Sequence, residues 1–246
     1  MEEKMPEARF LAAGDRALIV EYGREICELN NDCVSQLAAW LEEQDIEGVQ
    51  ELVPTYCSLM VCYDPALITY PKLVQRLKGF KPSMMGDGKG EKKIWEIPCV
   101  YDGADLASME ELCKLPKEEI IKLHSGRDYR IYMLGFFPGF VYLGGLDERI
   151  HAPRLNSPRT AIPAGSVAIG GGQTGIYPIV APGGWRLLGR TPLKLYDPDR
   201  AEPILCKAGE YIRFVPITPE RFAEIEQELL LGSYIPHYII EGGAQA

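Results

Sequence analysis

No two of the seven cysteines (27, 33, 57, 62, 99, 113 and 206) stand in C-x-x-C register, and their number is odd. That pattern excludes a disulfide framework and a zinc site, and fits buried free thiols in a reducing compartment. No metal site is expected. Also missing are H-E-x-x-H, G-x-S-x-G and G-x-x-x-x-G-K-[ST], which removes zincins, α/β-hydrolase nucleophiles and P-loop nucleotide binding. The nearest approach to a P-loop, GDGKG at 86–90, lacks both the spacing and the hydroxyl residue. Residues 161–185 are uncharged, but seven glycines and three prolines among them forbid a membrane helix. The N-terminal MEEKMPEARF is acidic with no apolar run, so no signal peptide is read and a cytoplasmic location is expected. Positive charge is scarce too. Against 35 acidic residues there are 26 Lys and Arg, a net charge of −9, which disfavours nucleic acid and anionic membranes as partners.

What is present, 46% hydrophobic and 25% charged residues over 246 positions, suits one large globular domain or two modest ones. Residues 10–13 and 17–22 read as strands about a Gly14-Asp15 turn. Ile26, Leu29, Cys33, Leu37 and Leu41 recur at helical steps. Two strands near 49–53 and 58–63 and a helix from Pro71 to Gly79 follow. This order predicts an N-terminal ferredoxin-like α/β sandwich over 1–90, with the glycine-rich 84–90 as linker. Beyond it, a strand at 94–98 precedes two helices, one capped by Asp105 and one opened by Pro116. Short β-branched and aromatic runs at 129–134, 166–169, 175–180, 185–188, 193–196 and 211–215 then predict a small closed β-barrel. A last helix carries Phe222, Ile225 and Leu229, and 233–246 reads as a loosely held tail.

Between Arg149 and Tyr196 no Asp or Glu occurs, where composition predicts about seven. The window holds Arg149, Arg154, Arg159, Arg186, Arg190 and Lys194. Two readings stay open: a site for a small phosphate or carboxylate, or arginines that face different ways and pair with acids elsewhere. Gly170–Gly175 (GGGQTG) matches G-x-G-x-x-G, but Pro178 and Pro182 forbid the helix a dinucleotide site needs. A glycine hairpin whose amides could contact an anion survives. His124 ends its predicted helix, where the dipole would favour an imidazolium. The GFFPGFVYL stretch at 135–143 either plugs the barrel or is exposed for a partner, and the second is preferred.

The residues Gly135-Phe136, Pro138-Gly139-Phe140, Tyr142-Leu143, Pro153-Arg154, Pro158-Arg159, PAGSV at 163–167, QTGIYP at 173–178 and PGGW at 182–185 resemble the family of 5-oxoprolinase B subunits. That family is also known as kinase-A inhibitor (Kip) proteins or allophanate hydrolase subunit 1. The resemblance spans roughly residues 8 to 217. It implies a cyclophilin-like barrel over 91–232 and hence an α+β protein. It also implies ATP-dependent opening of a lactam, 5-oxoproline, to glutamate, with Mg2+ accompanying the ATP. The partners implied are a homologous cyclophilin-like subunit and a LamB/YcsF-type subunit. Under this resemblance Arg154 and Arg159 would hold phosphate or carboxylate, Gln173 would orient, and Tyr177, Gly171 and Gly172 would line the pocket. His124 would transfer a proton. Phe136, Phe137, Phe140, Tyr142 and Trp185 would form a partner surface. The same family implies two rival readings: an inhibitor that presses on a sensor histidine kinase, and an allophanate hydrolase subunit.

Overall fold

The computed structural model describes residues 5–83 and 92–242, so the linker expected at 84–90 lies outside the described residues. The protein is α+β and divides into two compact units, Met1–Gly90 and Glu91–Ala246. No helix among the described residues is long and apolar enough to cross a membrane.

In the first unit β1 (Arg9–Ala12) and β2 (Ala17–Glu21) form a hairpin. Gly14 takes the positive φ of 71° that its turn requires. Then come α1 (Glu28–Gln44), β3 (Val49–Pro54), β4 (Ser58–Tyr63) and α2 (Tyr70–Leu77). The antiparallel sheet runs β1-β2-β4-β3. Leu18 and Val20 on β2 alternate with less buried neighbours, as do Leu59 and Val61 on β4, and they meet Val34, Leu37 and Leu41 of α1 and Leu73 of α2. Cys33, Leu37 and Leu41 are thus the buried stripe of α1, while Leu29 is half-buried and Ile26, expected as the first step, precedes the helix and is exposed. Cys33 is fully buried within this core, and burial pushes its thiol up to about 11, which makes it an inert packing residue.

The second unit opens with β5 (Lys92–Cys99), α3 (Leu106–Cys113) and α4 (Lys117–Ser125). Strands β6 (Asp128–Leu134), β7 (Val141–Gly144), β8 (Arg159–Ile162), β9 (Ser166–Gly170), β10 (Gln173–Ile176), β11 (Ala181–Gly183), β12 (Arg186–Arg190) and β13 (Tyr211–Pro216) follow. The unit ends with α5 (Pro219–Leu230) and β14 (Tyr238–Glu241). Eight strands make one sheet, β12-β9-β10-β7-β6-β13-β5-β14, and β8 pairs with β11 in a separate ribbon. The pairing is antiparallel except between β5 and β13. Val100, just past β5, and Arg190, at the end of β12, exchange both backbone hydrogen bonds at 2.9 Å. Strands six places apart in the sheet order therefore touch at one corner, and the sheet curls around a core that includes Ile97, Met109, Ile120, Tyr129, Ile169 and Phe214.

Several expectations need correction. The stretch at 135–143, read as wholly a barrel plug or an exposed partner loop, ends in a strand, because Val141–Leu143 pair with β6 and β10. Residues 193–196 form no strand and contribute only the bridge Tyr196–Ile204. The tail expected to hang loosely supplies β14, which pairs antiparallel with β5 from Tyr238–Trp95 to Glu241–Lys92. His237 there has Nδ1 2.9 Å from Glu96 Oε2. Asp105 stands at the N-cap of α3, but its side chain makes no cap hydrogen bond.

Candidate functional site

Side chains of β7, β9 and β12 alternate between two environments, as a strand's geometry dictates. Val141, Leu143, Val167, Ile169 and Leu188 enter the main core. Tyr142, Ala168 and Leu187 belong to a second, aromatic cluster with Phe140, Tyr177 and Trp185. Trp185 lies over the strands themselves. A Cβ on Gly170 would come 2.5 Å from its Nε1, and one on Gly175 would meet Val141 O at 2.8 Å and the indole at 3.1 Å. These two glycines of GGGQTG make room for an indole. The hairpin between them turns at Gly171, φ 68°. Gly171 N–H donates to Ala152 O at 2.7 Å and Gly171 O accepts from Ala152 N–H at 3.1 Å. Gly171 therefore has no amide to offer a phosphate, contrary to expectation. Gly172 lies against His151, whose Cε1 would stand 2.9 Å from an added Cβ. Gln173 begins β10 opposite Gly170 and is half-buried.

The acid-free window is largely neutralised from outside. Arg149 pairs with Asp147 at 2.9 Å, Arg159 with Asp105 at 2.8 Å, Arg190 with Asp102 at 3.1 Å and Lys194 with Asp197 at 3.5 Å. The expected field of six positive charges is thus reduced to two. Among the described residues Arg154 and Arg186 pair with no carboxylate. Arg186 is committed to neutral acceptors: its Nε donates to Pro153 O at 3.0 Å and its Nη1 to Ser108 Oγ at 3.2 Å. Arg154 is exposed, its guanidinium 5.9 Å from the centre of the Trp185 ring. Beside it Tyr177 is buried, and burial raises its hydroxyl's pKa, with the Trp185 backbone opposing the rise.

Asp105 fastens this place together, a role that sequence reasoning missed. It is buried; one carboxylate oxygen accepts from Arg159 Nη2 at 2.8 Å and the other from Leu187 N–H at 2.7 Å. Its partners lie 54 and 82 residues away, so no local pattern announces them. Arg159 is locked here as a strut, with Nη1 buried and unpaired, and is not a free anion holder.

His124 is not in this place. It is fully buried, with Nδ1 2.7 Å from Tyr101 Oη and Nε2 2.8 Å from Thr174 Oγ1. Thr174 Oγ1 donates its one proton to Ala168 O at 3.0 Å, so Nε2 carries the imidazole proton and Nδ1 accepts from Tyr101. Burial lowers the His124 pKa to about 3, with Arg127 adding to the effect. The imidazolium expected at the end of α4 is absent because desolvation outweighs the helix dipole. With both nitrogens satisfied and no exposed surface, His124 organises the core; a proton-transfer role does not fit it.

The aromatic residues assigned to a partner surface divide as well. Phe140 and Trp185 are buried, and Phe137 and Tyr142 are half-buried. Phe136 alone of the five is exposed, at 62%. What the site offers chemically is one planar cation over an indole, set beside a buried phenol, which suits a small carboxylate or phosphate.

Residues 8–206 match the family described as carboxyltransferase domain, subdomain C and D. The chain is 42% identical to the B subunit of 5-oxoprolinase from Bacillus subtilis (strain 168), over 87% of this chain and 95% of that protein. It is 38% identical to the corresponding 5-oxoprolinase B subunit of Escherichia coli O157:H7, over 86% and 97%. The crystal structure of TTHA0988 superposes with a TM-score of 0.75 at 35% identity, over 82% of this chain but only 40% of that one. With near-complete coverage of the curated relatives, the chain belongs to the 5-oxoprolinase B-subunit family of carboxyltransferase-domain proteins.

Proposed function

We propose that this chain is one subunit of an ATP-dependent complex that opens 5-oxo-L-proline to L-glutamate. The observation that carries this is the match to the 5-oxoprolinase B subunit over 95% of the Bacillus protein's length. A lactam carbonyl is resonance-stabilised and its amine leaves poorly. Moving a phosphoryl group from ATP to the carbonyl oxygen activates the ring carbon; water adds there, the C–N bond breaks as a proton passes to the nitrogen, and a second water releases phosphate from the resulting acyl phosphate to leave glutamate. Such chemistry needs positioned anions more than a covalent nucleophile. In this reading Arg154 holds a carboxylate or phosphate against Trp185, Tyr177 supports that surface from below, and Gln173 orients the ligand from the start of β10. Asp105 and Arg159 position the strands that carry them. Among the described residues no three His, Cys, Asp or Glu side chains converge as metal ligands. Mg2+ would arrive with the triphosphate, held mainly by its phosphates and waters.

The partners in this reading are a homologous cyclophilin-like subunit and a LamB/YcsF-type subunit, and the chain alone is inactive. A ferredoxin-like first unit is supported by β2-β4-β3 with α1 and α2, which repeat that split arrangement while β1 takes the remaining edge. The curl closed at Val100 and Arg190 supports a cyclophilin-like barrel for the second. The test is glutamate release from 5-oxoproline and ATP by the three subunits mixed, with and without this chain. Release that requires this chain and falls at least tenfold with Arg154→Ala is expected. Unchanged release with Arg154→Ala would overturn the anion role. No release, with loss of sensor-kinase autophosphorylation on adding this chain alone, would overturn the enzyme in favour of the inhibitor.

A further inference from the structure

Arg154 is an exposed side chain on a backbone that is fastened at each neighbouring position. Ala152 exchanges both backbone hydrogen bonds with Gly171, at 3.1 and 2.7 Å. Pro153 O accepts from Arg186 Nε at 3.0 Å. Leu155 N–H donates to Gly184 O at 2.6 Å, and Gly184 lies against the Arg154 stem, where an added Cβ would stand 3.7 Å from the Arg154 Cβ. Arg186 is itself braced, because its Nη1 donates to Ser108 Oγ at 3.2 Å and that hydroxyl donates to Asp105 O at 2.8 Å. The guanidinium at the end of this mounting makes no hydrogen bond or ion pair among the described residues. A planar cation fixed in place before any ligand arrives is suited to gripping a planar anion.

The reaction offers this cation two anions, the carboxylate of the lactam and the triphosphate of ATP, and they make different demands. A triphosphate carries several negative charges and is held by several cations or a cradle of backbone amides. Neither is assembled here. Asp147, Asp105, Asp102 and Asp197 neutralise four of the six cations in the window, and Arg186 is committed to Pro153 O and Ser108 Oγ. The Gly171 amide already donates to Ala152 O. Arg154 alone is left, which matches the single charge of a carboxylate. Its border is aromatic: the rings of Phe140 and Tyr142 stand 5.7 and 6.3 Å from that of Trp185, a surface that suits the methylenes of a small ring. We propose that this chain binds the lactam by its carboxylate, with Arg154 as the partner, and so selects rings that bear a carboxylate. The triphosphate is not the ligand of Arg154. This rests on the reading of the chain as a 5-oxoprolinase subunit.

The test compares wild type, Arg154→Ala and Arg154→Lys in the three-subunit mixture, with KM measured separately for 5-oxoproline and for ATP. Inhibition by 2-pyrrolidinone, the same ring without the carboxylate, is measured alongside; subunit association is read by calorimetry and folding by thermal melting. Arg154→Ala is expected to raise KM for 5-oxoproline about thirty-fold, as loss of a charged hydrogen-bond partner does, while KM for ATP stays within about twofold. Arg154→Lys keeps the charge without the planar fork and should recover part of the loss. Inhibition by 2-pyrrolidinone, subunit association and melting should be the same for wild type and Arg154→Ala. An unchanged KM for 5-oxoproline, or a raised KM for ATP, overturns the proposal. So does weaker inhibition by 2-pyrrolidinone, which would assign Arg154 to the ring, and so does weaker association, which would assign it to an acidic residue of a partner. In each of these cases glutamate release that still requires this chain leaves the subunit reading standing. A wild-type mixture that releases no glutamate overturns the two together.

Discussion

Strands β7, β9 and β12 carry two faces built on opposite terms. Their inward residues, Val141, Leu143, Val167, Ile169 and Leu188, are fully buried aliphatics. Their outward residues lie under large rings, with Gly170 and Gly175 kept bare of Cβ so that Trp185 can lie flat. The inward face gains its stability from area removed from water and tolerates exchange among residues of similar volume. The outward face depends on clearance, and it ends in Arg154, a cation that no carboxylate among the described residues neutralises. One face holds the fold and the other presents chemistry, so variants on each should fail in different assays.

The largest effect belongs inward. Phe214→Ala removes a ring packed 4.6 Å from His124 and should cost about 3–5 kcal/mol in urea unfolding. Thr174→Val leaves the His124 Nε2 proton without an acceptor in the core and should cost about 1–3 kcal/mol in the same measurement. The pH dependence follows from the same histidine. Its folded pKa of about 3 lies below the ordinary histidine value of 6.5, so as pH falls the unfolded chain takes up the proton first. Stability is therefore full above pH 6.5 and falls towards pH 3, by up to ~1.4 kcal/mol per unit. Carboxylates held low by arginine, such as Asp147 beside Arg149, add their losses only below about pH 4.5. Unfolding followed between about pH 6.5 and 5 should thus show the histidine alone, and His124→Gln should flatten the slope. Outward, Arg154→Ala should move stability by less than about 0.5 kcal/mol, whatever it does to glutamate release. A loss of several kcal/mol there would erase the distinction between the faces.

Periodic elements were legible in the sequence because their information is local. The steps of three and four in α1 and the alternation in β2 and β4 need only the chain's own geometry. β14 was not legible, since its strand character comes from pairing with β5, more than a hundred residues away. The arginine window shows the same limit: the missing acids were evident, but the partners Asp102, Asp105 and Asp147 sit upstream of it. Composition made Arg154 one of six cations, the resemblance singled it out together with Arg159, and pairing of Arg159 with Asp105 separates those two. The glycines of GGGQTG were visible as unusual, yet their cause, an indole ten to fifteen residues downstream, is a matter of packing. His124 was misread because burial, which decides its charge, is not written next to it.

The pairing of β14 with β5 has a consequence for how this fold can be reused. Glu241 lies opposite Lys92, so the second unit's polypeptide enters and leaves at neighbouring points on one sheet edge. A module with adjacent ends can be spliced into a longer chain without a spanning linker and without disturbing its interior. Shuffling it between polypeptides, as one chain or as a separate subunit, then costs evolution only a change of connection.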